Sequence, residues 1–317
     1  MNALQNGSPG HIVHPHAHGY YGRMASAAAR HFEREPEPSI WQRAQPALAR
    51  LRSYYRNTLA PSPYACDLSQ LAYCVAYLPH YAAQLDRALR LHDIDVGNLL
   101  APDPQAGIMC LACGPGTELV GLAHHVVGHV PSIRARPLQV TLVDHPRQGW
   151  RLGRTLVRTE LEHQRRAHGL GAIHATAQCW DLLAPGTMPT PVRHAAQRTR
   201  LVTVMNVLTE VVARGSLAVR HFAQSLAELQ SALPRGAVLL LADMGACRGM
   251  DAALDTVSAA LRVRGAAVTH PFADNFVSPF ANVDHAPLRD HLFSMDPGEG
   301  RIPRRKVQSV SLVARSE

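Results

Sequence analysis

Lysine is nearly absent from this 317-residue chain: Lys306 is the only one, so the formal charge of +8 rests almost wholly on arginine. That charge and an isoelectric point near 9.5 ordinarily point toward nucleic acid. The arginines are scattered, however, clustering only at Arg165-Arg166 and Arg304-Arg305-Lys306, and no aromatic RNA-stacking motif accompanies them. The charge therefore permits an anionic partner without demanding one. Long apolar runs are missing too: none reaches the roughly 18–20 residues a membrane-spanning helix needs, so no membrane association is expected. The N-terminus opens polar and His-rich, not basic and then apolar, which predicts no secretory signal.

Cysteine is sparse, six in all, too few for a disulfide scaffold in a chain of this length. Cys110 and Cys113 make one CxxC, but no second pair completes a four-ligand zinc site. Both lie in an apolar stretch that reads as a strand and its exit, so core packing is expected, with no metal, in a reducing cytoplasm. The pattern GxxxxGK[ST] is also missing, which weakens a nucleotide-triphosphate reading.

Hydrophobic residues make up 46% of the chain, enough for one substantial core and an additional subdomain. Residues 1–38, rich in Gly, Pro, Ala and His, read as a flexible leader; His11, His14, His16 and His18 belong to it. Residues 39–100 read as a helical cap. Trp41, Leu48, Leu51 and Tyr55 fall near one helix face, and Pro61 and Pro63 stop that helix. Asp67 is a plausible N-cap for the next, which Pro79 should kink or break. Tyr73, Tyr77 and Tyr81, at i, i+4 and i+8, either pack the cap onto the larger domain or line a pocket.

From residue 101 to 317 short apolar runs alternate with helical patterns. The runs are Ile108–Ala112, Leu138–Val143, Ile173–Gln178, Leu201–Met205 and Ala237–Ala242, with further strands at Ala266–His270 and Val307–Ala314. The intervening helices are Leu119–Val127, Trp150–His168, Ser216–Leu233 and Met250–Arg264. This alternation predicts an α/β, Rossmann-like doubly wound sheet, interrupted by an irregular insertion near 274–305.

Ligands of such sheets bind beyond the carboxyl ends of the strands. After the first run stands Gly114-Pro115-Gly116-Thr117-Glu118, whose glycines let the backbone turn tightly and approach a ligand. Thr117 can cap the following helix, and Glu118 lies in its first turn, where negative charge is favoured. Asp144, after the second run, can accept from both ribose hydroxyls of an adenosine-containing ligand. Asp181, after the third, can accept from an adenine amino group while Trp180 or Leu182 covers the ring. Asn206 and Glu210, after the fourth, present polar groups to a reacting centre. A dinucleotide fold calls for glycine at position 119, completing GxGxxG; Leu119 stands there instead.

The segment Ile108-Met-Cys-Leu-Ala-Cys-Gly-Pro-Gly-Thr-Glu118, followed by Asp144, Asp181 and Asn206, resembles the class I S-adenosylmethionine-dependent methyltransferases over about Gly107 to Gly245. The resemblance implies S-adenosylmethionine as cofactor. It passes Gly114 and Gly116 under the methionine part and sets Asp144 at the ribose, with Ala112, Thr117, Glu118 and His145 also among the cofactor-binding residues. It also sets Asp181 and Leu182 at the adenine, Asn206 at the reacting end, and the last strand antiparallel. Two departures stand out: the family often has an acid where this chain has Cys110 and a glycine where it has Ala112. Asn206-Val-Leu-Thr-Glu210, with Tyr77-Leu78-Pro79 ahead of it, also resembles the Rsm22-like methyltransferases linked to the small ribosomal subunit.

Three functions follow as expectations. The first is methyl transfer to a small-molecule acceptor, with Glu210, His145 or His80 as a base where one is needed and Asn206 beside the reacting centre. The second is an RNA- or ribosome-associated methyltransferase. The third is an assembly factor that retains the fold without turnover.

Overall fold

A computed structural model describes residues 17–33, 35–57, 63–145, 149–184, 186, 188–245, 247–293 and 306–317. Its strands are β1 (Gly107–Leu111), β2 (Leu138–Asp144), β3 (Ile173–Cys179), β4 (Thr199–Met205), β5 (Val238–Met244), β6 (Ala266–Val268), β7 (Phe272–Val277) and β8 (Lys306–Ser316). They lie in the order β3-β2-β1-β4-β5-β8-β6. β1 to β5 run parallel, whereas β8 is antiparallel to both β5 and β6. The order winds outward from β1 to β3 and then returns to β4, so the crevice of a doubly wound sheet falls beside the ends of β1 and β4. The Rossmann-like fold and the antiparallel last strand are therefore as expected.

The expected helices are present, with boundaries shifted by a few residues. The chain forms α1 (Tyr20–His31), α2 (Glu37–Asn57), α3 (Asp67–Ala76), α4 (Leu78–Leu91), α5 (Val96–Leu100), α6 (Thr117–His129), α7 (Arg151–His168), α8 (Thr190–Ala196), α9 (Leu208–Ala213), α10 (Ser216–Gln230), α11 (Met250–Val263) and α12 (Ala286–His291). Side chains alternate across each strand, and the two faces of the sheet fill two cores. Ile108, Cys110, Val140 and Leu240 join the core shared with the cap, α6 and α7. Met109, Leu111, Val202 and Leu239 join the opposite one, with Phe222 of α10 and Leu254 of α11.

Part of the expected leader is a packed helix. Tyr20, Tyr21, Met24, Ala25 and Ala28 of α1 are buried, forming the apolar face of a helix whose small residues and histidines read as a tail. Tyr20 donates to the Cys74 carbonyl at 2.8 Å and Tyr21 to the Phe280 carbonyl at 2.7 Å. Arg23 reaches α7, its Nε 2.8 Å and its Nη2 3.1 Å from the two oxygens of Glu160. His11, His14 and His16 lie outside the described residues.

The cap helices break where Pro79 predicts, between α3 and α4 at Tyr77. Trp41, Leu48 and Leu51 are buried as expected; the side chain of Tyr55 lies outside the described residues. The irregular insertion is also corrected. It carries β7, paired antiparallel with β8, and α12, while Phe280, Val283, Leu288 and Leu292 join the cap core. Residues 294–305 lie outside the described residues. Among the described residues no helix is long and apolar enough to cross a membrane.

Candidate functional site

The ends of β1, β2 and β4 and the loop after β3 surround a cavity of about 340 Å³. Ala112, Gly114, Asp144, His145, Asp181, Leu182, Asn206 and Glu210 all line it. The sequence-predicted residues are thus largely brought together.

The turn after β1 holds three residues in the left-handed region: Ala112 (φ 50°), Gly114 (φ 54°) and Gly116 (φ 95°). Ala112 keeps there a backbone path that favours glycine, at a cost of order 1 kcal/mol. A Cβ on Gly114 would stand 3.2 Å from the indole of Trp150. Glycine is needed at this point because an aromatic side chain lies on the turn. Gly116 ends the turn at the N-terminus of α6.

Gly116, Thr117 and Glu118, also expected at the cofactor, do not line the cavity. Thr117 starts α6 but makes no capping bond. Glu118 is 2% exposed, near Cys110, Cys113 and Asp144. Burial first, and the Asp144 charge second, push its carboxyl well above the usual range; its Oε2 completes no hydrogen bond. Glu118 does stand in the first turn of α6, as expected, with its side chain turned into the core. Cys110 and Cys113 are buried free thiols.

Asp144 ends β2. Its Oδ1 accepts from the His145 amide at 2.7 Å, while Oδ2 is buried and completes no hydrogen bond of normal geometry. Burial raises this carboxyl, and the nearby His145 and Gly114 amides act against the rise. Asp181 accepts from the Leu183 amide at 3.0 Å and faces His145 Nε2 at 3.3 Å. Trp180, 6% exposed, donates its amide to the Asp144 carbonyl at 3.1 Å and shares the cavity wall with Leu182.

Asn206 ends β4 with φ 54°. Its backbone donates to Ala242 at 2.9 Å, but both side-chain amide atoms are buried without partners. An unpaired buried amide on a cavity wall is a group that a ligand can satisfy. One turn on, Glu210 accepts from the Tyr54 hydroxyl at 3.1 Å. Burial raises the Glu210 carboxyl to about 7; Tyr54 and Arg214 act to lower it, while Asp243 and Asp144 add to the rise.

Several functional residues escape the sequence reading. Asp243, near the end of β5, accepts the amide of Thr209 at 3.1 Å and that residue's hydroxyl, and so fixes the start of α9, which carries Glu210. Its signal is an acid at a fifth strand end. Trp150 stacks 4.5 Å from Tyr64 and 5.2 Å from Tyr73, and Tyr54 lies 6.2 Å from Tyr64 (ring centroids). Buried Gln70 braces this wall: it donates to the carbonyls of Tyr64 and Gly149 and accepts from the Gly153 amide. No local pattern joins these residues. In the tyrosine stripe Tyr73 stacks on Tyr77 at 5.8 Å, all three rings are buried, and Tyr73 lines the cavity; packing therefore accounts for Tyr77 and Tyr81. His80 is not a cavity residue: it is buried against the Ser278 hydroxyl at 2.6 Å.

No family model matches the chain, and no curated protein matches it. Several solved structures are distantly similar to it. One is a SAM-dependent methyltransferase from Methanosarcina mazei, 11% identical, with 66% of this chain and 92% of that one covered and a TM-score of 0.37. The [4+2]-cyclase SpnF is 14% identical, with 73% and 81% covered and a TM-score of 0.36. The CurJ carbon methyltransferase is 10% identical, with 93% and 70% covered and a TM-score of 0.42.

Proposed function

We propose that this chain is an S-adenosylmethionine-dependent methyltransferase acting on a small-molecule acceptor. The observation that carries the reading is Asp144: a strand-end carboxylate with one buried, unpaired oxygen, set at the edge of a cavity that begins at a left-handed glycine turn. Such an oxygen is costly to bury alone and is satisfied by a ribose hydroxyl. Asp181 lies one strand farther out, where it can accept from the adenine amino group between Trp180 and Leu182. Asn206 supplies a donor and an acceptor toward the methionine end. Leu119, whose Cδ1 would stand 3.2 Å from a Cβ on Gly116, occupies the place where a dinucleotide turn needs its third glycine.

When bound, the cofactor supplies an electrophilic methyl group on a sulfonium. The chain's own task is alignment and exclusion of water. The aromatic wall of Tyr64, Tyr73 and Trp150 closes one side of the cavity, and Val211 and Phe222 also line it.

Thermal-shift measurements with S-adenosylmethionine, S-adenosylhomocysteine and NAD test the reading, because a ligand that binds only the folded state stabilises it. The first two should raise the midpoint and NAD should not. Stabilisation by NAD alone overturns the proposal. Binding of the first two, with methyl transfer to RNA but to no small molecule, would move the function to an RNA methyltransferase. Binding with no transfer at all would leave a non-catalytic assembly factor.

A further inference from the structure

One cavity is lined both by a polar stripe and by the rings of Tyr64, Tyr73 and Trp150. Asn206, Glu210 and Arg214 recur every four residues and all line the cavity. Tyr54 of α2 links this stripe to the cap: its hydroxyl donates to Glu210, and its ring meets Tyr64, which stacks on Trp150 over Gly114. The rings stand edge-on or tilted to one another, 75° between Tyr54 and Tyr64 and 35° between Tyr64 and Trp150, and those of Tyr64, Tyr73 and Trp150 line the same cavity as Glu210.

Resting on the methyltransferase reading, we propose that the acceptor is a small aromatic compound bearing an acidic hydroxyl, that Glu210 takes the hydroxyl proton, and that Tyr54 is the positioning residue that holds Glu210 ready for it. Tyr64, Tyr73 and Trp150 offer ring faces and edges to an aromatic acceptor. Arg214, beside Tyr54 and Glu210, puts a positive charge where an ammonium acceptor would be repelled and a developing phenolate favoured. A carboxyl with a proton affinity near neutrality suits a base at neutral pH, and Glu210 stands at about 7. The groups that set this value come from every side: Tyr54 from α2, Arg214 following α9, Asp243 from β5 and Asp144 from β2.

In the step, the acceptor O–H bond breaks and its proton passes to a Glu210 carboxylate oxygen. The freed oxygen pair forms the new O–C bond to the methyl carbon. The carbon–sulfur bond breaks, and its electron pair remains on sulfur as the neutral thioether.

The test uses the full chain and radiolabelled S-adenosylmethionine, with catechol, 4-hydroxybenzoate and 4-nitrophenol set against aniline, 4-aminobenzoate and benzylamine. Phenols should accept the methyl group in preference to amines, and kcat should rise with pH through about 7. Glu210→Gln should cut kcat about 100-fold or more while cofactor-induced thermal stabilisation persists. Tyr54→Phe keeps the carboxyl but removes the bond that lowers its proton affinity, so the pH profile should move to higher pH. Preference for amines, rejection of all the phenols by a chain that binds the cofactor, or profiles unchanged in both variants overturn the proposal. A chain that binds no S-adenosylmethionine instead refutes the methyltransferase reading beneath it.

Discussion

Two carboxylates, Glu160 and Glu210, are both withdrawn from bulk water, yet the protein treats them in opposite ways. Glu160 of α7 is fully enclosed and meets Arg23 with both oxygens, Gln164 at 2.7 Å and His124 at 3.6 Å. Despite its burial, the His124 and Arg23 contacts hold it down at about 2. Glu210 has Tyr54 and a nearby arginine, opens on a cavity, and is raised to about 7. Full pairing locks a charge in place and makes a strut; incomplete pairing leaves a group that can exchange a proton. Burial alone does not mark a site; a carboxyl raised by burial that also opens on a cavity does.

The largest expected effect falls on the strut. Glu160→Ala leaves Arg23 half-buried without its carboxylate and should cost about 3–5 kcal/mol of stability, measured by denaturant unfolding, with early proteolysis near α1. The pH dependence has a definite sign. Because the folded value lies below the ordinary one, Glu160 stabilises fully above about 4.5, and that contribution is lost as pH falls toward 2. An acid limb unchanged by Glu160→Gln would contradict this assignment.

Gly114→Ala comes next. Its φ of 54° disfavours a Cβ, and the added atom meets Trp150 at 3.2 Å, so a loss of about 1–3 kcal/mol is expected. The variant should also weaken cofactor binding, since Trp150 must shift. Unchanged stability and binding would show that Trp150 does not rest on this turn.

Glu210→Gln has the smallest expected effect on stability, and the opposite sign from the strut. The folded protein binds the Glu210 proton more tightly than the unfolded chain does. Wild-type stability therefore falls as pH rises from about 4.5 to about 7, and the penalty stays above that. The variant should gain on the order of 1 kcal/mol over wild type at pH 8, after discounting for solvent in the cavity, and nothing below pH 4. Parallel stability curves for the two proteins would remove the contrast with Glu160.

Glu210 and its contrast with Glu160 also mark how far sequence reading reaches. Strands β1, β4 and β5 are legible because strands buried on both faces read as apolar runs, whereas β3 at the sheet edge is largely exposed; Asp144, Asp181, Asn206 and Glu210 follow as what stands at or just past the strand ends. Helix α1 is not legible, since alanine, glycine and histidine carry little apolar contrast; its anchor, Arg23 with Glu160, spans 137 residues. The aromatic wall joins Tyr54, Tyr64, Tyr73 and Trp150 from four separate segments, and only Tyr73 belongs to a local pattern. Glu118 stands in the first helical turn as read, whereas the burial of its side chain is decided by packing that no local pattern shows.

Asp144 is the point on which the whole account turns, and calorimetric titration of wild type and Asp144→Asn with S-adenosylhomocysteine tests it most directly. The isosteric change keeps the fold but replaces the carboxylate that would hold the ribose. The account predicts measurable binding by the wild type and a loss of tenfold or more in the variant, about 1.4 kcal/mol or greater. Equal affinity in the two proteins, at equal thermal stability, would contradict it.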